Sequence, residues 1–121
     1  MKLLLDNTQR LNLHALMGAQ RGSVDDVRLF WRLQDRIDLS DEEKQAINFR
    51  IVEVNGMQQA TWEQRPVPPA EYEFTGDEFA RLVKMVKEWQ PGFVTTSDRR
   101  WLEPLLEQLD HLESKNGHKV Q

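Results

Sequence analysis

Residues 23–38 read SVDDVRLFWRLQDRID, and this stretch predicts the main helix of the fold. Apolar side chains recur in it at three- and four-residue steps, which is the spacing of one helix face. They are Val24, Val27, Phe30, Trp31, Leu33 and Ile37. Ser23 suits the N-cap because its hydroxyl can accept from the amide of Asp26, and acids at Asp25 and Asp26 complement the helix dipole. We therefore predict a helix over about Val24–Asp38 with this broad apolar face in the core.

Two capping boxes mark the starts of two more helices. Ser40 and Glu43 can satisfy each other's backbone amides and so open a short helix. Thr75 and Glu78 open a second long helix in the same way, and Pro91-Gly92 is expected to end it. The buried stripe of that helix is expected to comprise Phe79, Leu82, Val83, Val86 and Trp89.

Helical spacing also occurs near both ends of the chain. An apolar stripe ending at Gly18 comprises Leu11, Leu13, Leu16 and Met17. A last helix, running to about Glu113, is indicated by Trp101, Leu102, Leu105, Leu106, Leu109 and Leu112. Pro104 interrupts it, so this helix either begins near Glu103 or begins at Ser97 and kinks. The preference of proline for the first helical turn favours the start near Glu103.

The strongest β signal is a hairpin at about 49–62, FRIVEV–NG–MQQATW. If Asn55-Gly56 forms a two-residue type I′ turn, Ile51 faces Ala60 and Phe49 faces Trp62 on one side, while Val54 pairs with Met57 on the other. The side with Phe49 and Trp62 is the better candidate for burial.

These elements predict an α+β fold that is mainly α, with four to five helices packed with one β-hairpin. Residues 1–113 are expected to form a single globular domain, and 114–121 a flexible tail. The proline-rich stretch 65–69 reads as an extended connector, because proline lacks an amide donor and fixes φ. The segment Glu71–Phe74 is expected to add a short strand.

The composition is that of an ordinary soluble domain. The chain has 121 residues, of which 39% are hydrophobic and 30% charged, and a net charge of −4. This acidic balance disfavours general nucleic-acid binding, which normally needs a basic surface. The absence of cysteine excludes thiol chemistry and disulfides. Since no apolar run approaches the ~20 residues of a membrane span, we expect a cytoplasmic protein that does not bind membranes.

No motif of catalysis or cofactor binding is evident. The chain contains no GxGxxG, GxxxxGK[ST], HExxH or GxSxG sequence. Its acidic pairs fall in helix first turns, where the helix dipole accounts for them. Glu107 and His111 are spaced to hold a metal ion, but an exposed polar pair is the usual meaning of that spacing. We therefore expect a protein that is not an enzyme and that uses no cofactor or metal.

The most unusual feature is a row of arginines four residues apart, Arg28, Arg32 and Arg36. Like charges at this spacing repel, so each guanidinium group should have a partner. One interpretation pairs them within the helix, with Asp25, Asp35 and Asp38. The other makes them a binding stripe, since guanidinium groups bind carboxylates or phosphates bidentately. The second interpretation requires that all three side chains project outward.

A second candidate binding site lies at Arg99, Arg100 and Trp101. A helix N-terminus at Ser97-Asp98 would supply free amides, the arginines would supply charge, and the indole would supply a stacking face for a phosphate-bearing ring. Trp101 as an ordinary core residue is the competing interpretation. The four tryptophans together can likewise mark an interface or a core, and each falls on a predicted apolar stripe.

A resemblance adds to this reading. The stretches LNLHALM and GSVDDVRLFWRLQDRIDLSDEEKQAINFR over 11–50, the hairpin ending in TWEQ, and the helix EFTGDEFARLVKMVKEW resemble small accessory proteins of tailed phages and prophages. The likeness covers most of 11–112 and rests on element order and apolar spacing; Pro104 and the proline-rich connector depart from it. Such proteins are mostly of unknown function, so no site residues carry over.

The resemblance implies a protein that acts in the host cytoplasm by occupying something that belongs to the host. In the favoured hypothesis it occludes a host or phage protein, for example as an antagonist of a host-defence complex, with arginine and aromatic anchors. In the alternative it forms a homo-oligomer whose arginine-lined clefts sequester a small anionic or nucleotide signal. A structural role in the virion is a third hypothesis.

Overall fold

A computed structural model describes residues 1–63, 68–88 and 98–115 of the chain. Within them it shows five helices and two separate two-stranded antiparallel sheets. In chain order the elements are β1 (Lys2–Leu5), α1 (Asn7–Gly18), α2 (Val24–Ile37), α3 (Asp41–Ala46), β2 (Arg50–Val54), β3 (Met57–Thr61), β4 (Ala70–Glu73), α4 (Gly76–Lys87) and α5 (Arg99–Lys115). The predicted α+β class, mainly α, is confirmed.

All four helices before α5 begin with a capping box. The pairs of N-cap and N3 residues are Asp6 and Gln9 in α1, Ser23 and Asp26 in α2, Ser40 and Glu43 in α3, and Thr75 and Glu78 in α4. Ser40/Glu43 and Thr75/Glu78 were predicted from the sequence, as was the cap at Ser23. The box of α1 was missed, so α1 begins four residues before the apolar stripe that indicated it.

The helices α1 and α2 form an antiparallel pair beneath the other elements. Near one end Arg10 donates to the carbonyl of Ile37, and further along Gln34 donates to the carbonyl of His14. One apolar core joins these two helices to β1, α4 and α5. Its fully buried members include Leu3, Leu13, Leu33, Ile37, Leu82, Leu105 and Leu109.

The N-terminal strand β1 pairs with the mid-chain strand β4 in a sheet that the sequence did not predict. The segment expected to add a short strand is β4, and it pairs with the N-terminal strand β1, with Leu3 opposite Tyr72. The outer edge of β1 is closed by α5, because the side-chain amide of Gln108 accepts from the amide of Leu4 at 2.9 Å and donates to its carbonyl at 2.8 Å. The alternating burial of β1 places Leu3 and Leu5 in the core.

The hairpin formed by β2 and β3 has the predicted register. Ile51 lies opposite Ala60 and Val54 opposite Met57. Asn55 and Gly56 have φ values of 53° and 79°, as a type I′ turn requires. The rings of Phe49 and Trp62 stack at 6.4 Å, and both residues are half-buried. No residue of either strand is buried, so the hairpin lies outside the core.

The last helix differs from its favoured prediction. It begins by Arg99, so Pro104 lies inside it and not in its first turn. Proline at this position removes the amide that would bond to the carbonyl of Arg100. Burial of Trp101, Leu105 and Leu109 along one face offsets that loss. The helix also includes Ser114 and Lys115, which were assigned to the tail.

Some predicted features lie outside the described residues. They are Trp89 in the stripe of α4, the helix end at Pro91-Gly92, most of the connector (residues 65–67), the helix start at Ser97, and the tail from 116 to 121.

One buried arginine joins four elements. Arg10 of α1 is 4% exposed and forms a salt bridge of 2.6 Å with Glu43 of α3. Its guanidinium group also donates to the carbonyls of Ile37 and Asp38, at 2.9 and 2.8 Å, and so caps the C-terminal end of α2. The guanidinium carbon lies 5.3 Å from the ring centre of Tyr72 in β4. Hydrogen bonds from Arg10 and the Ser40 amide lower the pKa of Glu43 to about 2.

Two further ion pairs join α2 to α4. Arg36 of α2 holds Glu78 through both carboxylate oxygens, at 2.6 and 2.9 Å, and Arg81 of α4 holds Asp26 at 2.7 Å. The hydrogen bonds from Arg36 and the Thr75 amide lower the pKa of Glu78 to about 2, although burial opposes the shift. These contacts fix both ends of α2 against α4.

Replacing Arg10 is expected to destabilise the fold strongly. Arg10→Met should lower the free energy of unfolding by about 3 kcal/mol, because it leaves two helix-end carbonyls and the Glu43 carboxylate without their donor. Arg99→Met is the matched control: Arg99 is exposed and its one partner among the described residues is Glu103 of its own helix, so its loss should change the free energy of unfolding by about 0.5 kcal/mol or less. Urea denaturation measures both; an equal effect of the two variants would contradict the role of Arg10.

The stability of the fold should fall with acid. Because the pKa values of Glu43 and Glu78 lie at about 2 in the folded chain and at an ordinary value of 4.5 otherwise, their contribution is complete above pH 4.5 and is lost as the pH falls towards 2. Urea midpoints measured between pH 7 and pH 2.5 should therefore drop below pH 5. Glu78→Gln should reduce that drop, whereas Glu107→Gln should not. An unchanged pH profile for Glu78→Gln would contradict the assignment.

Candidate functional site

The predicted arginine row does not act as one unit. Arg36 turns towards α4, where it holds Glu78 and also donates to the carbonyl of Glu73 at 3.3 Å. Its guanidinium carbon lies 5.6 Å from the ring centre of Phe74. Hydrogen bonding to Glu78 raises the pKa of Arg36. Arg36 is therefore committed within the subunit.

Arg28 and Arg32 have a different environment. Both are exposed, and neither has an ion pair or a hydrogen bond to any residue that the structure describes. The predicted partners Asp25 and Asp35 are also exposed and make no ion pair in the same described part, and Asp38 lies 3.9 Å from Nε2 of His14. The guanidinium groups of Arg28 and Arg32 thus face solvent, with no hydrogen-bond acceptor among the described residues.

The apolar face of α2 is narrower than predicted. Phe30, Leu33 and Ile37 are buried, but Trp31 is 58% exposed and Val24 is 65% exposed. Successive residues on a helix are rotated by about 100°, so Trp31 lies well to one side of the buried Phe30. The prediction that Trp31 and Val24 belong to the core was wrong.

These exposed residues share one surface. Val24 and Trp31 are seven residues apart, or about two helical turns, and lie nearly in line along the helix. Arg28 lies three residues before Trp31, in the neighbouring row of side chains along the helix. Arg32 is the residue directly after Trp31. We call Val24, Arg28, Trp31 and Arg32 the outer face of α2. It combines a large apolar side chain with two uncommitted guanidinium groups.

The second predicted binding site, at Arg99, Arg100 and Trp101, has no exposed indole on which a ligand could stack. Trp101 is 8% exposed and belongs to the core, and its Nε1 donates to the carboxylate of Asp98 at 2.9 Å. Arg99 bonds to Glu103, which raises the pKa of Arg99, and Arg100 is exposed. The core interpretation of Trp101 is confirmed, so its indole face is not available to a ligand ring.

Reasoning from the sequence also missed some surface features. Ile51, Val54 and Met57 of the hairpin are exposed, with Met57 at 70%. The alternating pattern of the hairpin gave no sign that both its faces would be open. No group of three or more His, Asp and Glu side chains within the described residues is arranged to hold a metal ion.

Comparison with known proteins gave no relative from which a site can be transferred. No family model matches the sequence, and no curated protein or solved structure is similar to it. Among the helices that the structure describes, none has the length and apolar character needed to cross a bilayer.

Trp31 and Trp101 should respond in opposite ways to truncation. Trp31→Ala removes an exposed side chain and should change the free energy of unfolding by about 0.5 kcal/mol or less. Trp101→Ala opens a cavity between α1 and α5 and should cost about 3–5 kcal/mol. Urea denaturation of the two variants measures the difference. A loss of about 2 kcal/mol or more in Trp31→Ala would show that Trp31 is packed and would remove it from the outer face of α2.

Proposed function

We propose that this protein is a non-catalytic binding protein that occludes a surface of another protein through the outer face of α2. The observation that carries the proposal is the exposure of Trp31 beside two arginines without partners in the described structure. Tryptophan and arginine are the residues most enriched among those that dominate binding energy in protein interfaces. Burial of this indole against a partner would be favourable, because it removes apolar surface from water.

The mixture of charges favours a protein partner over a phosphate. Arg28 and Arg32 are flanked by the exposed acids Asp25 and Asp35, so the helix surface carries both signs. A nucleic acid or nucleotide would meet repulsion from these carboxylates. A protein surface can place carboxylates against the arginines and an apolar pocket against Trp31, and it can also pair with the acids.

The outer face of α2 is held on a rigid support. The C-terminal end of α2 is capped by Arg10, the middle is tied to α1 through Gln34, and both ends are bonded to α4 through Asp26 and Arg36. A side chain on such a helix loses little further freedom when it binds, which favours affinity. Arg36, by bonding to α4, thus helps to hold in place the helix on which Arg28 and Arg32 are exposed.

The class of partner is proposed from the sequence resemblance. Small accessory proteins of tailed phages and prophages would act on proteins of the infected cell or of the phage itself. We propose a host or phage protein as the occluded partner, with a host-defence complex as one example of such a target, and the host cytoplasm as the place of action.

Charge removal from the outer face of α2 should weaken partner capture without unfolding the protein. In pull-downs from host lysate, Arg28→Ala combined with Arg32→Ala, and separately Trp31→Ala, should reduce the recovery of the specific partner by at least about tenfold, since interface anchors contribute about 2 kcal/mol or more. Recovery is measured by quantitative mass spectrometry against the unmodified chain, and the melting temperature of each variant is measured in parallel.

The matched control removes two cations elsewhere. Lys2→Ala combined with Lys84→Ala changes the net charge equally but leaves the outer face of α2 intact, so recovery should be unchanged. Equal loss in the control would reduce the effect to net charge and contradict the proposal. Thermal stabilisation by nucleotides that is abolished by the Arg28/Arg32 variant would instead support sequestration of a small anion.

A further inference from the structure

No element in the described part of the chain covers the outer edge of β3. β3 reads MQQAT over Met57–Thr61, and every residue of it is exposed. A two-stranded hairpin is marginally stable in water unless a further strand or a packed face supports it. Phe49 and Trp62 stack at the base of the hairpin, but the ten residues of its strands contribute nothing to the buried core. Within the described residues, the hairpin is therefore supported neither by a third strand nor by burial of its strands in the core.

The geometry of the turn shows which backbone groups are unused. A two-residue type I′ turn is closed by a hydrogen-bonded pair, here Val54 and Met57, and the pairs then alternate along the ladder. Gln58 and Ala60 therefore direct their amide and carbonyl groups away from β2. No residue in the described part of the chain bonds to these groups. They form a template for one more antiparallel strand.

The same chain protects its other sheet. The outward groups of Leu4 in β1 are satisfied by Gln108, and the carbonyl of Glu73 in β4 accepts from Arg36. β2 carries Arg50 and Glu53, charges of the kind that keep an edge apart from other strands. β3 has no charge, no proline and no covering side chain within the described structure.

We propose that the β3 edge pairs antiparallel with β3 of a second copy of this chain. The pairing is centred on Gln59, which lies opposite Gln59 of the second copy. Gln58 of each copy then exchanges hydrogen bonds with Ala60 of the other, so all the outward groups of both strands are used. The result is one continuous four-stranded sheet across a two-fold axis, in the order β2, β3, β3, β2.

The charge distribution selects a second copy as the occupant. Across a two-fold axis each residue near the centre meets itself or its near neighbour, so any charge there would face a like charge. The five residues of β3 carry none. Met57 lies opposite Thr61 of the second copy in this register, which covers the most exposed apolar side chain of the chain's described part. The proposal does not depend on the function of the outer face of α2.

Solution mass, measured by sedimentation as a function of concentration, tests the pairing. The unmodified chain is expected to sediment with twice the mass of one chain. Gln59→Lys should yield a folded monomer, with a far-UV circular dichroism spectrum like that of the unmodified chain, because it puts a charge against itself on an exposed strand. Ala60→Pro should raise the dimer dissociation constant by about tenfold or more, because it removes two symmetry-related hydrogen bonds across the edge.

The matched control is Ile51→Pro, which removes an outward amide from the β2 edge by the same chemistry. The dimer should persist in this variant. A monomer at all concentrations would overturn the proposal and leave the β3 edge to a strand from a different protein. Dimers that persist in both Gln59→Lys and Ala60→Pro, or that dissociate equally in Ile51→Pro, would also overturn it.

Discussion

The fold depends on four acid and amide side chains that each make two kinds of interaction. In each of the four capping boxes the N3 side chain closes its own helix start and also bonds to a distant element. Gln9 donates to the carbonyl of Trp101, Asp26 accepts from Arg81, Glu43 from Arg10, and Glu78 from Arg36. A carboxylate at a helix start is already favoured by the dipole and held by the capping box, so each arginine bonds to a partner whose orientation is restrained by its own helix. These contacts tie each helix start to another element of the fold.

That coupling also divides the arginines of α2. Arg36 lies within reach of the start of α4 and is used there, and its loss from the outward row leaves Arg28 and Arg32 as the exposed pair. The apolar face is divided in a similar way, since Leu33 is buried while Trp31 is not. The same helix therefore supplies a core face and, directly beside it, a surface with the chemistry of a protein interface.

Local features were predictable from the sequence, and long-range ones were not. Ser40 with Glu43, Thr75 with Glu78 and the type I′ turn depend on residues within four positions of one another, so spacing alone reveals them. The partners of Arg10 and Arg36 lie 33 and 42 positions away. No periodicity encodes such pairs, and a buried arginine contradicts the usual preference of this residue for the surface. The exposure of Trp31 was missed because the width of an apolar face depends on how many helices cover it.

Arg36 is bonded to Glu78, whereas Arg28 and Arg32 are exposed and have no partner among the described residues. Heteronuclear NMR of the guanidinium protons in the unbound protein distinguishes these two environments, because bonded guanidinium protons exchange slowly with water and free ones exchange fast. Slow, resolved signals are expected for Arg10 and Arg36, and fast-exchanging, averaged signals for Arg28 and Arg32. Signals of Arg28 or Arg32 as strongly protected as those of Arg36 would show that these two cations are not available to a partner.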